Sequence, residues 1–149
     1  MFSDHTSLDP SLVQAYRETH YRVNGPPGPS CHHGLTLLVD EHSLELADLH
    51  LKYGVACSVF ITACNPHSVA ITDAANQARH VDLSSYLQKS GLTYLEGVGE
   101  HPHNEWPGEP SYLVLGLAIQ DAKALATELE QNAFVWSGED AVPKLVLLK

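Results

Sequence analysis

The residues of this chain best suited to chemistry are polar side chains set at the mouths of apolar strands. Phe60-Ile61-Thr62-Ala63-Cys64-Asn65-Pro66 carries Thr62 and Asn65 to the outgoing end of one apolar run. Glu109-Pro110-Ser111 opens another, continuing as Tyr112-Leu113-Val114, and Gln131-Asn132 precedes Ala133-Phe134-Val135-Trp136. A polar side chain in such a place has to be satisfied by the protein itself or by a ligand. If the strand 55–64 runs antiparallel to 111–119, and the helix after Asp121 returns the chain alongside, then Thr62, Asn65, Glu109, Ser111, Gln131 and Asn132 share one end of a sheet, with Asn76 overhanging it from the next helix. That pocket of amides and hydroxyls with one carboxylate suits a small polar ligand, Glu109 accepting from an amine or a hydroxyl.

The same residue types leave other chemistry open. Glu109 becomes a general acid or base if burial raises its pKa, which makes a small hydrolase or transferase the alternative to a binding or interaction module. Ser111 becomes a nucleophile only if His101 or His103 swings over it. A purely structural reading competes with both: Asn65-Pro66 as a side-chain-capped turn, Glu109 holding loop amides, and Gln131-Asn132 ending a helix. Metal chemistry has weaker support. His101 and His103 with Cys31, His32 or His33 offer imidazole and thiolate, which zinc prefers, but not the paired short spacings of strong zinc sites. No metal or cofactor is expected.

Composition narrows the class. Eight basic residues, scattered along the chain, face eighteen acidic ones for a formal charge of −10, so the clustered basic footprint of a nucleic-acid binder is missing. The acidity reads first as a solubility device, with a basic protein partner the alternative. Apolar runs such as Tyr112 to Ile119 are too short to span a bilayer, and the N-terminus has no basic start leading into an apolar stretch, so the expected location is the cytoplasm. Three cysteines cannot all pair. Cys57 and Cys64, placed on one expected strand and pointing to opposite faces, cannot pair with each other.

The elements that must position these residues follow from periodicity and caps. Asp9-Pro10 starts a helix over about 10–18 with Leu12, Val13 and Tyr16 on one face. Strands are expected at 20–23 and 35–39, separated by the Pro- and Gly-rich stretch 24–30. Ser43 caps a helix presenting Leu44, Ala47 and Leu51 and ending at Gly54. The run 55–63 suits a strand buried on both sides. Thr72 or Asp73 opens a helix carrying Ala74, Ala78, Val81, Leu83 and Leu87, broken near Asp82, that stops at Gly91. A more exposed strand covers 92–98. The stretch 99–110 reads as a loop that covers the site, with Trp106 as its apolar face. A strand at 112–119, a helix from Asp121 burying Ala122, Leu125, Ala126 and Leu129, and a hairpin of 133–136 with 144–148 complete the order. The expected class is α+β, a single domain with a mixed, mostly antiparallel sheet and packed helices. A three-layer α/β sandwich is the alternative.

Tyr16-x-x-Thr19-x-Tyr21, Ile61-Thr62-Ala63-Cys64-Asn65-Pro66, Asn76, Gly97 and Gly99, Trp106, Glu109-Pro110-Ser111 and Gln131-Asn132-Ala133 together form a pattern that resembles the DUF3293 family of small bacterial proteins of unknown function. The resemblance covers about Tyr16 to Trp136. It implies one domain in a bacterial cytoplasm and these candidate positions, but no reaction. The Cys31-His32-His33 stretch does not belong to the pattern.

Overall fold

Local signals in the sequence set most element ends in the computed structural model, which describes residues 6–24, 34–103 and 108–149. Helix α1 (Pro10–Glu18) starts where the Asp9 carboxylate accepts the Ser11 N–H and Pro10 occupies the first turn. Strand β1 (His20–Val23) follows, then β2 (Leu35–Leu37) and α2 (Leu44–Tyr53). Ser43 caps α2, and Gly54 ends it in the left-handed region at φ 65°, where a side chain would be strained. Strand β3 (Ser58–Ile61) leads through a 3-10 turn (Pro66–Ser68) to α3 (Asp73–Lys89). Strands β4 (Thr93–Glu100) and β5 (Glu109–Leu115), helix α4 (Ile119–Glu128), and strands β6 (Ala133–Ser137) and β7 (Lys144–Leu147) complete the chain.

The seven strands form one sheet in the order β2-β1-β4-β5-β3-β6-β7, and every neighbouring pair is antiparallel. The fold is α+β. The sheet is not mixed, however: α4 does return the chain in the direction of β5, but β3 lies between β5 and β6, so the crossover produces no parallel pair. Helices cover both faces. One core packs Leu46 and Leu49 of α2 on Tyr21, Phe60, Leu95, Leu113 and Val135; the other packs α3 and α4 through Leu83, Leu87, Ala122 and Leu125 on Val59, Ile61, Tyr112, Val114 and Phe134. Strand β3 sits inside the sheet and its four residues are all buried, which explains the apolar run on both of its faces.

Several boundaries and faces differ from the sequence reading. In α2, Leu44 and Leu51 point outward at 65% and 82% exposure, while Leu46, Leu49 and His50 are buried. Helix α3 is unbroken at Asp82 and turns Ala74, Ala78 and Val81 outward, burying His80, Leu83 and Leu87. Strand β3 is shorter than 55–63, so Cys57 and Cys64 flank it, and both are free thiols. Both ends of the loop expected at 99–110 are strand instead: pairing of Gly99 with Glu109 carries β4 to Glu100 and starts β5 at Glu109. Trp106, with the covering role given to it, lies outside the described residues, as do Cys31, His32 and His33.

Candidate functional site

Where the outgoing ends of β3 and β4 meet the incoming ends of β5 and β6, a cavity of about 230 Å³ opens between the sheet and α1. Its floor follows from strand alternation: Phe60 and Thr62 from β3 and its extension, Glu109 and Ser111 from β5, Ala133 and Val135 from β6 all point to the same face. Gly99, also on the floor, leaves room there. Its neighbour on that face, Gly97, has the opposite role, because a Cβ at Gly97 would stand 2.4 Å from the Arg22 carbonyl oxygen and 2.9 Å from Phe60 Cε2. The roof is α1, through Leu12, Ala15 and Tyr16. The walls are Asn65 and Ser68 after β3, Gln131 and Asn132 before β6, and His101 after β4.

Of the seven side chains singled out in the sequence, Thr62, Asn65, Glu109, Ser111, Gln131 and Asn132 line this cavity, and Asn76 stands behind it. Asn65 is the hub. Its backbone N–H donates to Asn76 Oδ1 at 2.8 Å, its Oδ1 accepts from Asn76 Nδ2 at 2.8 Å and from the Ile71 N–H at 3.2 Å, and its Nδ2 donates to Glu109 Oε2 at 2.7 Å. The residue holds φ 47°, and His67 and Ser68 also have positive φ. So sharp a turn in non-glycine residues stores strain that the surrounding bonds must offset. Arg79 of α3 helps by donating to the carbonyls of Ala63 and Leu129, tying the end of β3 to the end of α4. Gln131 Nε2 donates to the Cys64 carbonyl at 3.1 Å.

The hydroxyls are held in a consistent sense. Thr62 Oγ1 donates to the Pro110 carbonyl at 2.8 Å, and Ser111 Oγ to the Glu109 carbonyl at 2.9 Å. Tyr21 Oη donates to the Tyr16 carbonyl at 2.6 Å, and Thr19 Oγ1 to the Ala15 carbonyl at 2.7 Å. Asn132 Nδ2 reaches Ser68 Oγ at 3.2 Å and Tyr16 Oη at 3.4 Å, and those two hydroxyls bond each other. Burial, with Tyr16 and the Glu109 carboxylate nearby, pushes the Tyr21 phenol well above its ordinary range, so it stays protonated. Burial likewise raises the Cys64 thiol, again with Glu109 adding, which keeps it a poor nucleophile.

Sequence reasoning missed the roof. Tyr16 entered as part of a helix face and, with Tyr21, through the family pattern, with neither placed at the site by the residues themselves, and Ser68 and Arg79 did not enter at all, because each meets its partner across a long stretch of chain. His101 sits in the wall with Nε2 2.9 Å from Glu18 Oε1, and the His103 N–H donates to its Nδ1. Among the described residues no three His, Cys, Asp or Glu side chains come together to hold a metal ion.

Residues 61–134 match the family model DUF3293, described as a protein of unknown function. The match bears out the resemblance read from the Thr-Ala-Cys-Asn-Pro and Glu-Pro-Ser strings. No curated protein and no solved structure matches the chain.

Proposed function

We propose that this DUF3293 chain is a binding module that holds one small ligand in the cavity beneath α1. The observation that carries the reading is the convergence of six polar side chains, from three separate parts of the sequence, on one recess whose remaining surface is largely apolar. Deep recesses with a few convergent polar groups are the usual form of a ligand site. The volume, below the roughly 300–1,000 Å³ of sites for drug-sized molecules, favours a small metabolite. A hydrolase or transferase is the less favoured reading, since the Ser111 hydroxyl proton is directed to a backbone carbonyl and not to a base. The scattered basic residues argue against nucleic acid, and no helix among the described residues is long and apolar enough to cross a membrane.

A metabolite screen by thermal shift tests the reading, with Gly99→Leu as the control. A Cβ at Gly99 meets only ordinary contacts at 3.7–3.9 Å, so the longer side chain enters the cavity without displacing backbone. Compounds that stabilise the native chain are expected to lose their effect in the variant. Hits that stabilise Gly99→Leu equally well would place binding elsewhere and remove the proposal.

A further inference from the structure

We propose that the ligand of this cavity is a neutral alcohol on a short apolar body, its hydroxyl completing a ring with those of Tyr16 and Ser68. The inference rests on the reading of the cavity as a binding site and goes further by naming the group that is recognised and the residues that recognise it.

Four of the hydroxyls that line the cavity send their protons to the backbone: Thr62, Ser111, Tyr21 and Thr19 each donate to a carbonyl. Tyr16 and Ser68 differ, because they bond each other. Two hydroxyls carry two protons and four lone pairs. One proton makes the bond between them, in either direction, and Asn132 Nδ2 donates to both oxygens, to Ser68 Oγ at 3.2 Å and to Tyr16 Oη at 3.4 Å. The oxygen that accepts from its neighbour then has both lone pairs filled and a proton left to give, while the oxygen that donates keeps one lone pair. Asn132 does not take up the remainder. Its Oδ1 is buried without a partner among the described residues, and turning the amide over to offer that oxygen to the spare proton would strand Nδ2 in its place.

Two adjacent oxygens that offer one proton and one lone pair match a single atom able to accept and to donate, which is a hydroxyl. With it in place the three O–H groups run head to tail around a ring, and hydrogen bonds chained in this way strengthen one another. Other polar groups leave part of the pair unmet. An ether or ketone oxygen takes the proton and returns none, an ammonium sets a donor against that proton, and a carboxylate sets its lone pairs against the remaining one. No Lys or Arg holds an anion here, since all eight lie within the described residues and none lines the cavity. Water has the same hydrogen-bonding sense, and an apolar body is what lets an alcohol displace it. Leu12 and Ala15 in the roof, with Ala133 and Val135 in the floor, give that body apolar surface to bury against.

Calorimetry with matched probe sets at neutral pH provides the test: n-butanol, cyclohexanol and benzyl alcohol, their methyl ethers, and the corresponding ammonium ions and carboxylates. The alcohols are expected to bind about three- to tenfold tighter than the methyl ethers, as the loss of a neutral hydrogen bond implies, and tighter than either set of ions. Ser68→Ala and Tyr16→Phe each remove one member of the ring and should bring alcohols and ethers to within about twofold of each other, while Gly99→Leu should abolish the binding of every probe. The ranking of probes on the native chain stands even where a variant fails to fold. Ethers or ions that bind the native chain as tightly as the alcohols, or an alcohol preference that persists in both Ser68→Ala and Tyr16→Phe, would overturn the hydroxyl assignment and, with loss in Gly99→Leu, leave the cavity as a binding site. Probe binding that survives Gly99→Leu, or no binding in any set, would overturn both.

Discussion

At the scale of single residues, Asn65 shows how one side chain makes the site. It accepts or donates four hydrogen bonds through its backbone N–H and its amide, and holds a left-handed backbone that a β-branched or plain aliphatic residue would resist. Asn65→Ala should cost about 3 kcal/mol from lost side-chain bonds and backbone strain together, whereas Asn65→Gly, which relieves the strain, should recover about 1 kcal/mol of that. Urea denaturation of the pair measures the difference; equal stabilities would show that the turn, and not its φ, is what Asn65 supplies. The strings around Asn65 and Glu109 were legible because a polar residue closing an apolar strand announces a need for partners. Part of the structural reading also holds, since Asn65 Oδ1 accepts the Ile71 N–H across the turn that follows β3. The identity of Arg79 as the tie between loops was not legible, because its acceptors, Ala63 and Leu129, are named only by the folded chain.

At the scale of elements, the N-terminal caps of α1, α2 and α3 and the buried face of α4 were read correctly, and the faces of α2 and α3 were not. In α3 the stripe turned inward is Asn76, His80, Leu83 and Leu87, half of it polar, so a search for apolar periodicity selected the alanines on the solvent side. The polar half is what the site needs, as Asn76 braces Asn65 from there. Helix α1 is unusual in the opposite sense, for it buries none of its side chains fully. It is held over the cavity by the Tyr16–Ser68–Asn132 bonds, by the Tyr21 hydroxyl on its Tyr16 carbonyl, and by Glu18 on His101. An element with so little buried apolar area opens at low free-energy cost. Tyr16→Phe removes the hydroxyl contacts and leaves the ring, and should speed amide hydrogen exchange in α1 by about five- to tenfold, the equivalent of about 1 kcal/mol, with exchange in β3 and β5 unchanged. Uniform acceleration across the sheet would mean that α1 opens only with the whole chain.

At the scale of the molecule, the α+β class was legible from the irregular alternation of helices and strands, while the strand order was not. Which strand lies between β5 and β6 depends on pairings remote in sequence, and the insertion of β3 there is what turns an expected mixed sheet into an antiparallel one. Both faces of that sheet bury a histidine. His50 shares a 2.8 Å hydrogen bond with Ser58, and His80 stacks on Tyr112 with centroids 4.2 Å apart and its Nδ1 without a partner among the described residues. Burial lowers the pKa of each below the ordinary 6.5, with Glu96 opposing the shift at His80. The unfolded chain therefore takes up protons near pH 6.5 that the folded one resists, so the stability these residues contribute is complete above that pH and is lost as the pH falls toward the folded values. The net charge of −10 works against this trend, since protonation relieves self-repulsion. A variant separates the two. His80→Phe keeps the stack on Tyr112, removes one titrating group and removes an unpaired nitrogen whose burial costs about 1–3 kcal/mol. Its thermal midpoint should exceed that of the native chain at pH 7.5, and the gap should widen between pH 6.5 and 5. A gap that stays constant over this range would mean that His80 takes up its proton equally in both states, and burial would not govern its charge.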